Sequence, residues 1–383
     1  MIYLLMFIFS SVIIFAFENE GKVMRRIGLC IGIFAPVVLA TIRAETVGID
    51  VATYMKPLYL CAKDSQNISA FFSNAAANED IKFMEKGYAL LGYLTTKITG
   101  GLWGLFLANE LLCIVPILFA VRECNNYISG SADYNLKIPY AFVLFVWLCI
   151  FYNNSLNQVR QLIGCSLILL AMMKLINKKY AVAILLWVIA YFIHSSALIM
   201  ICFVVLYFIA KSNSRILFAL ALVLIAVFAL FSVQIFYAAM IILDKLNILS
   251  EKFSGEVFGG TYEEINLNLS WMVISVAMLA FSIYNLICYH ESALFKYLFL
   301  IAITTMSLFG FSSRFANFGR LQLYCLIYVI LILPMRQERK FTGLNLLQSV
   351  WLVNLKIIIP IAYWIVSVYL FDYTGTIPYL IAV

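Results

Sequence analysis

The sequence predicts an all-α integral membrane protein, a polytopic helical bundle with about twelve transmembrane helices. The first observation is composition: the 383 residues are 64% hydrophobic and only 12% charged, whereas soluble domains carry about 25% charged residues. The second is that apolar stretches of about twenty residues, long enough for a helix to cross a bilayer, recur along the whole chain. The third is that these stretches lack the alternation of polar and apolar residues that a transmembrane β-barrel requires.

The candidate spans together form one predicted membrane domain over residues 1–383, without an internal repeat. The first span lacks a basic leading segment and a small-residue cleavage site, so we expect a retained helix rather than a signal peptide. The sixth and seventh spans are short and are expected to form a broken or shallow pair. The predicted limits are 1–17, 27–42, 102–121, 138–152, 160–176, 180–193, 195–210, 215–239, 269–288, 293–311, 320–335 and 350–371.

The distribution of basic residues predicts which ends of these spans face the cytoplasm, because cytoplasmic loops collect Lys and Arg. With the basic connections inside, both termini lie outside. This asymmetry accounts for most of the net charge of +7, so no nucleic-acid partner is expected. The basic connections contain Lys22, Arg25, Arg26, Arg122, Lys137, Lys174, Lys178, Lys179, Lys211, Arg215, Lys296, Arg336, Arg339 and Lys340.

The opposite connections include two long loops of mixed charge, at about residues 43–101 and 240–268. Residues 83–98 have apolar side chains at helical spacing and are expected to form a helix lying flat on the membrane surface. Residues 251–268 are predicted to be a polar, glycine-containing loop. The nine cysteines are scattered without paired spacing, so we predict buried free thiols, no disulfide, no metal site and no cofactor.

Four of the ten arginines are not explained by this orientation, namely Arg43, Arg160, Arg314 and Arg320. Each lies at or near the outer end of an apolar span, where a guanidinium is expensive to bury. Arg differs from Lys because its planar fork of donors suits phosphate and carboxylate oxygens. The four positions therefore predict an anion-binding site at the outer level.

Polar neighbours accompany these arginines at helical spacing. One predicted helix face carries Asn157, Arg160, Gln161 and Gly164, and a second carries Asn317, Arg320 and Tyr324. Arg43 opens a segment in which Gly48 permits a tight turn, with Asp50 and Tyr54 one helical turn apart. His194 lies between two apolar spans at the same level and is followed by two serines.

Simpler interpretations of the same residues stay open. A single outer arginine commonly extends to lipid phosphates. A lone histidine between helices commonly has a structural hydrogen bond. Asp50 could pair with Arg43 and hold the loop. Anchoring to lipid explains a single arginine more readily than it explains all four together with the polar residues beside them.

Five short motifs in order resemble the EpsG family, which is grouped with the Wzy-type polysaccharide polymerases of bacterial inner membranes. The resemblance covers most of the chain, although residues after about 340 add little to it. The motifs are RAETVGIDVATY (43–54), EKGYALLGYL (85–94), NQVRQLIGCSLILLAM (157–172), YFIHSSALI (191–199) and RFANFGRLQLY (314–324).

The resemblance implies an integral-membrane glycosyltransferase of the broad GT-C type in the bacterial inner membrane, with its active site facing the periplasm or exterior. Such an enzyme joins oligosaccharide repeat units carried on undecaprenyl diphosphate. The lipid-linked oligosaccharide serves as both donor and acceptor, membrane lipid surrounds the protein, and a chain-length regulator protein is a further partner class left open.

A diphosphate leaving group gains negative charge in the transition state, and fixed arginines in a poorly hydrated site stabilise that charge. The sequence has no DxD motif, so we predict a metal-independent reaction in which Arg160, Arg314 and Arg320 share the phosphates. His194, Asp50 and Glu85 are the candidates for the base, and their order is left open. The expected substrate-binding residues are Arg43, Tyr54, Glu85, Asn157, Gln161, Asn317 and Tyr324.

Three alternative functions are weighed against the polymerase. A glycan ligase would use the same donor and nearly the same site, and only its acceptor would differ. A flippase for lipid-linked oligosaccharide would show internal pseudo-symmetry and polar groups near the bilayer midplane. An acyltransferase that uses a cytoplasmic thioester would need its site on the inner side. The outer position of the polar residues favours the polymerase or the ligase.

Overall fold

The computed structural model describes residues 2–130, 136–212, 214–245, 269–312, 316–337, 344–372 and 375–381. The chain divides into two compact units, the first formed by residues 1–200 and 329–383 and the second by residues 201–328. Helices dominate both units. The predicted glycine-containing loop at 251–268 and Arg314 lie outside the described residues.

The first unit is a bundle in which α1 packs on α2 and α7, and α9 packs between α6 and α10. A π-helical turn at Val51–Met55 leads into α3, and a 3-10 turn at Ser195–Ile199 follows α10. Its helices are α1 (Ile2–Glu18), α2 (Lys22–Thr41), α3 (Lys56–Asp64), α4 (Ile68–Ala77), α5 (Lys86–Thr99), α6 (Leu102–Ser129), α7 (Tyr140–Ile150), α8 (Tyr152–Asn157), α9 (Val159–Ile176) and α10 (Tyr180–Ile193).

The second unit has α14 at its centre, packed against α12, α13 and α15. Its helices are α11 (Met200–Lys211), α12 (Arg215–Lys245), α13 (Leu269–Cys288), α14 (Ala293–Ser312) and α15 (Ala316–Leu326), and α12 has a kink at Phe231. The chain then returns to the first unit through α16 (Val329–Ile332), α17 (Leu344–Trp364) and a π-helical segment at Ile365–Leu370.

Helices cover all twelve predicted apolar stretches, so an all-α membrane protein is confirmed. In the described part of the chain, six helical segments are long and apolar enough to cross a membrane: Lys22–Thr41, Leu102–Ser129, Val159–Ile176, Arg215–Ser232, Leu269–Cys288 and Val353–Leu370. The other six predicted stretches correspond to shorter apolar helices of 10–17 residues. The count of twelve spans and the GT-C class therefore stay predictions.

The segment predicted as a long loop at 43–101 is largely helical. Residues predicted to form a surface helix at 83–98 form α5, which packs on α3, α6 and α10. Asn67 caps α4 because its side chain accepts a hydrogen bond from the backbone N–H of Ala70 at 2.9 Å. These short helices build a folded layer that carries much of the candidate site.

Several residues of the predicted basic set meet at one end of the first unit. The buried carboxylate of Glu123 on α6 pairs with Lys174 at 2.6 Å and with Lys179 at 2.8 Å. Lys137 pairs with Arg336 in a two-residue antiparallel ladder between β1 (Leu136–Lys137) and β2 (Arg336–Gln337). The candidate site described below involves the opposite ends of these helices.

All nine cysteines are free, as predicted. Five of them are buried and Cys61 is partly buried, whereas Cys30, Cys202 and Cys288 are exposed on the outer surface of apolar helices. The expectation of buried thiols is therefore correct for most of the cysteines and wrong for these three, because a helix face that meets lipid is also apolar.

Candidate active site

The centre of the candidate site is an ion pair between Arg160 and Glu85. Nη1 of Arg160 donates to Oε2 of Glu85 at 2.8 Å, and their side chains are only 16% and 17% exposed. Arg160 lies in the first turn of α9, and Glu85 immediately precedes α5. Two segments 75 residues apart in sequence are thus joined by opposite charges in a partly buried position.

The other carboxylate oxygen of Glu85 faces the turn that follows α10. Oε1 accepts from the backbone N–H of Ser195 at 3.2 Å and lies 3.5 Å from Nδ1 of His194. Nδ1 of His194 is also 3.0 Å from Oγ of Ser196. Glu85 therefore links a guanidinium on one side to an imidazole on the other.

A glycine allows this close approach of α5 and α10. A Cβ atom at Gly87 would lie 2.5 Å from the backbone oxygen of Phe192. Any side chain at this position would push the start of α5 away from the end of α10. Gly87 therefore lets Glu85 reach Ser195 and His194.

Two tyrosines surround the guanidinium of Arg160. The guanidinium carbon lies 4.6 Å from the centre of the Tyr54 ring and 6.0 Å from the centre of the Tyr88 ring. Stacking on an aromatic face favours the charged guanidinium and fixes its plane. Burial raises the pKa of Tyr88, whose hydroxyl accepts a hydrogen bond from Asn109 at 3.0 Å.

Asn157 attaches the Tyr54 segment to the start of α9. Its side-chain oxygen accepts from the backbone N–H groups of Ile49 at 2.9 Å and Asp50 at 3.3 Å. Gly48 precedes them with φ +93°, and a Cβ atom there would lie 2.3 Å from the backbone oxygen of Leu156. The predicted tight turn at Gly48 is present, and its function is to bring this loop against α8.

The predicted single helix face from Asn157 to Gly164 is wrong. Gln158 has φ −96° and ψ 54°, which ends α8 and starts α9 one residue later. Asn157 therefore turns to the loop at residues 48–50, while Gln161 is buried at 3% exposure. The periodicity of side chains could not reveal a break that backbone contacts with another segment stabilise.

Arg43 lies deeper than its predicted role in substrate binding suggests. It is 2% exposed, its guanidinium lies 4.3 Å from the centre of the Phe106 ring, and Nη2 is 4.0 Å from the sulfur of Met55. Burial lowers the pKa of Arg43, and the charge of Glu110 opposes that effect. Arg43 is thus more deeply buried than Arg160 and Glu85, whose side chains are 16% and 17% exposed.

Glu110 is a buried carboxylate that the sequence analysis did not select. It lies within α6 at 2% exposure and accepts a hydrogen bond from Ser155 on α8 at 2.8 Å. The available signal was an acidic residue inside a long apolar span, which is expensive and commonly functional. Glu110 and Arg43 are both buried in the interior of the first unit, and each influences the charge of the other.

The remaining predicted site residues belong to the second unit. Arg314 lies outside the described residues, and the side chains of Asn317 and Arg320 on α15 are not described. Tyr324 is fully buried within that unit. Asp50, Tyr54, Glu85, Asn157, Arg160 and His194 are all brought together within the first unit.

The helices and this cluster define a multi-pass α-helical membrane protein with a charged, partly exposed site in its first unit. The chain matches the EpsG family over residues 26–381 and belongs to that family. At the family level it is a polysaccharide polymerase-type, glycosyltransferase-like membrane protein. Neither curated proteins nor solved structures gave a match.

Proposed function

We propose that this protein polymerises oligosaccharide repeat units carried on undecaprenyl diphosphate, at the outer face of a bacterial inner membrane. The observation that carries the proposal is the Arg160 cluster. In this cluster the carboxylate of Glu85 lies 2.8 Å from the guanidinium of Arg160 and 3.5 Å from the imidazole of His194. Their side chains are about one-sixth exposed, so a ligand can reach them. Family membership supports the reaction class.

In the proposed reaction the lipid-linked growing chain is the donor. A hydroxyl oxygen of the incoming unit attacks the anomeric carbon of the donor, and the bond from that carbon to the diphosphate oxygen breaks. The bonding electrons leave with the lipid diphosphate. Arg160, held by Tyr54 and Glu85, stabilises the charge that develops on the departing phosphates.

Glu85 and His194 form the proposed proton acceptor. The hydroxyl proton passes to this pair as the glycosidic bond forms, since the two groups lie 3.5 Å apart beside the guanidinium. The backbone N–H of Asp50 donates to the side-chain oxygen of Asn157 at 3.3 Å and so fixes the loop against the end of α8. We propose that Asp50 shapes the loop and that Glu85 and His194 perform the proton transfer.

The other arginines have separate proposed roles. Arg43 provides positive potential from behind the cluster, because it is too deeply buried for direct contact in this conformation. Arg314 and Arg320 keep their predicted role in binding the phosphates as part of this proposal. Asn317, Tyr324 and Gln161 keep their predicted association with the substrate as part of this proposal.

The test is polymerisation by the purified protein from defined undecaprenyl-diphosphate-linked repeat units, with and without EDTA. We expect a ladder of lengthening glycans and release of lipid diphosphate, both unaffected by EDTA because arginines take the place of a metal. A lipid-core acceptor is supplied in a parallel reaction.

Transfer to the lipid core without a ladder would replace the polymerase by a ligase. Loss of the ladder in EDTA, with recovery on adding a divalent cation, would contradict the metal-independent mechanism. Movement of intact lipid-linked units across a vesicle membrane without bond formation would show that the protein is a flippase and not an enzyme.

A further inference from the structure

The C-terminal segment 375–381 lies across the loop and helix that build the candidate site. Backbone N–H of Gly48 donates to the oxygen of Gly375 at 3.1 Å, and that of Ala44 donates to Leu380 at 2.8 Å. Arg43 and Ile381 form an antiparallel bridge. The sequence predicts no function for residues 375–381, which we call the strap.

The strap also holds α8 through one buried side chain. Oγ1 of Thr376 accepts a hydrogen bond from Nδ2 of Asn153 at 2.8 Å, and Thr376 is fully buried. The side-chain oxygen of Asn153 accepts from Nε1 of Trp364 at 3.1 Å. Both polar atoms of this buried amide are therefore bound by the C-terminal region.

These contacts form a continuous series that connects the strap to the candidate site. The strap binds Gly48, the next residues bind Asn157, and Asn157 lies one turn after Asn153 on α8. Six residues beyond Gly48 is Tyr54, which stacks on Arg160, and Arg160 follows Asn157 by three residues. The links are hydrogen bonds and short stretches of backbone, except for the stacking of Tyr54 on Arg160.

We propose that the strap is a positioning element for the Arg160 cluster and that Thr376 is its principal positioning residue. The hydroxyl of Thr376 binds Asn153, which is not itself a member of the cluster. It acts through Asn153 and α8 on one side, while its neighbour Gly375 acts through Gly48 on the other. Together they set the distance between the Tyr54 ring and the Arg160 guanidinium. A catalytic readout of this role rests on the proposed function.

The test compares Thr376→Val, which keeps the shape and removes the acceptor, with Thr376→Ser, which keeps the oxygen. Thr305→Val is the matched control, because Thr305 is equally buried and its hydroxyl bonds only within the second unit. Amide hydrogen exchange of residues 44–54 measures directly how often this loop opens, and the measurement does not depend on activity. Polymerisation kinetics report the site.

We expect Thr376→Val to increase exchange in residues 44–54 about tenfold, the amount that loss of one hydrogen bond permits. The kcat should fall about tenfold, with KM little changed, because misplacing Arg160 weakens transition-state stabilisation. Thr376→Ser should restore both values, and Thr305→Val should leave both at the wild-type level.

Unchanged exchange in Thr376→Val would overturn the positioning role, whatever the activity. Increased exchange with wild-type kcat would overturn it as well, since the loop would then move without consequence. If wild-type protein forms no polymer, the proposed function fails. Exchange in the three variants then still decides whether the strap holds the loop.

Discussion

Arg160 meets partners on two sides, and both limit what a substitution at this position can do. Glu85 takes one donor of the guanidinium, and the Tyr54 ring covers its face. Lysine can keep the ion pair, but it has no plane to stack and cannot present two parallel donors to phosphate oxygens. A lysine at position 160 therefore tests whether the positive charge is sufficient without the planar guanidinium.

We predict that Arg160→Lys loses about 10²–10³ of the polymerisation rate, nearly as much as Arg160→Ala, by analogy with removal of one oxyanion-hole donor. The measurement is polymer yield per unit of purified protein. Arg122→Lys is the control, because Arg122 is exposed near the opposite end of α6. Wild-type chain length and yield from Arg160→Lys would remove Arg160 from the reaction.

The two carboxylates near the arginines differ in how far the sequence revealed them. Glu85 was identified from a short motif among polar neighbours. Glu110 was missed because the residues of α6 around it form a mostly apolar span and its partner Ser155 lies 45 residues away in sequence. A contact across the bundle leaves no periodic signal in either segment.

At the scale of elements, the loop that enters the site depends on one backbone approach. Gly48 adopts φ +93° and lies against the backbone of Leu156, so the chain can turn and present Ile49 and Asp50 to Asn157. A methyl group there would meet a backbone oxygen, which cannot rotate away. The loop would have to lift from α8.

We predict that Gly48→Ala lowers both thermal stability and polymerisation. Gly100→Ala is the matched control, because Gly100 also has a positive φ, of +71°, but has nothing within 4 Å of its Cβ position. In Gly100→Ala the free energy of unfolding should fall only by the cost of placing alanine in the left-handed conformation, about 1–2 kcal/mol. Unfolding in detergent, followed by light scattering and activity, measures both variants.

Equal losses of stability in Gly48→Ala and Gly100→Ala, with full activity in both, would show that contact with Leu156 is unimportant. A larger loss in Gly48→Ala is expected, together with reduced activity at temperatures where the protein remains folded. The comparison separates backbone strain from steric overlap at the site.

Elements were predicted well where hydropathy alone determines them. The stretch 160–176 became Val159–Ile176 and 269–288 became Leu269–Cys288, because an apolar run in a bilayer must satisfy its backbone as a helix. The helices α3 and α4 were mistaken for loop, since their mixed composition gives no strong apolar run, whereas α5 was predicted as a helix from the apolar spacing of residues 83–98. The strap was missed because its backbone bonds depend on residues more than 300 positions away.

At the scale of the whole molecule, the two ends of the first unit differ in chemistry. Lysines and arginines with the Glu123 network occupy one end, while the Arg160 cluster and its short helices occupy the other. From the rule that cytoplasmic loops are basic, we predict that the cluster faces the outer side.

We predict that single cysteines at Glu20 and Asp80 label from opposite sides. Both residues are exposed, and Glu20 follows α1 at the basic end, whereas Asp80 lies between α4 and α5. In a background without the nine native cysteines, a membrane-impermeant thiol reagent should modify Asp80→Cys in intact cells. Glu20→Cys should react only after permeabilisation.

The background protein must first be shown to make normal polymer. Labelling of both cysteines from the same side would contradict the proposed topology of the first unit. Reversed labelling would place the Arg160 cluster in the cytoplasm and would exclude a reaction at the outer face.

The hydrogen bond between the hydroxyl of Tyr3 and the backbone oxygen of Thr376 also has a consequence for biogenesis. Its partners are 373 residues apart, so the ribosome delivers α1 to the bilayer long before it delivers the strap. A nascent polypeptide already contains every residue of the Arg160 cluster while the strap is still untranslated. If the protein transfers sugars as proposed, we predict that it becomes competent only late in translation and that products of premature termination are inactive.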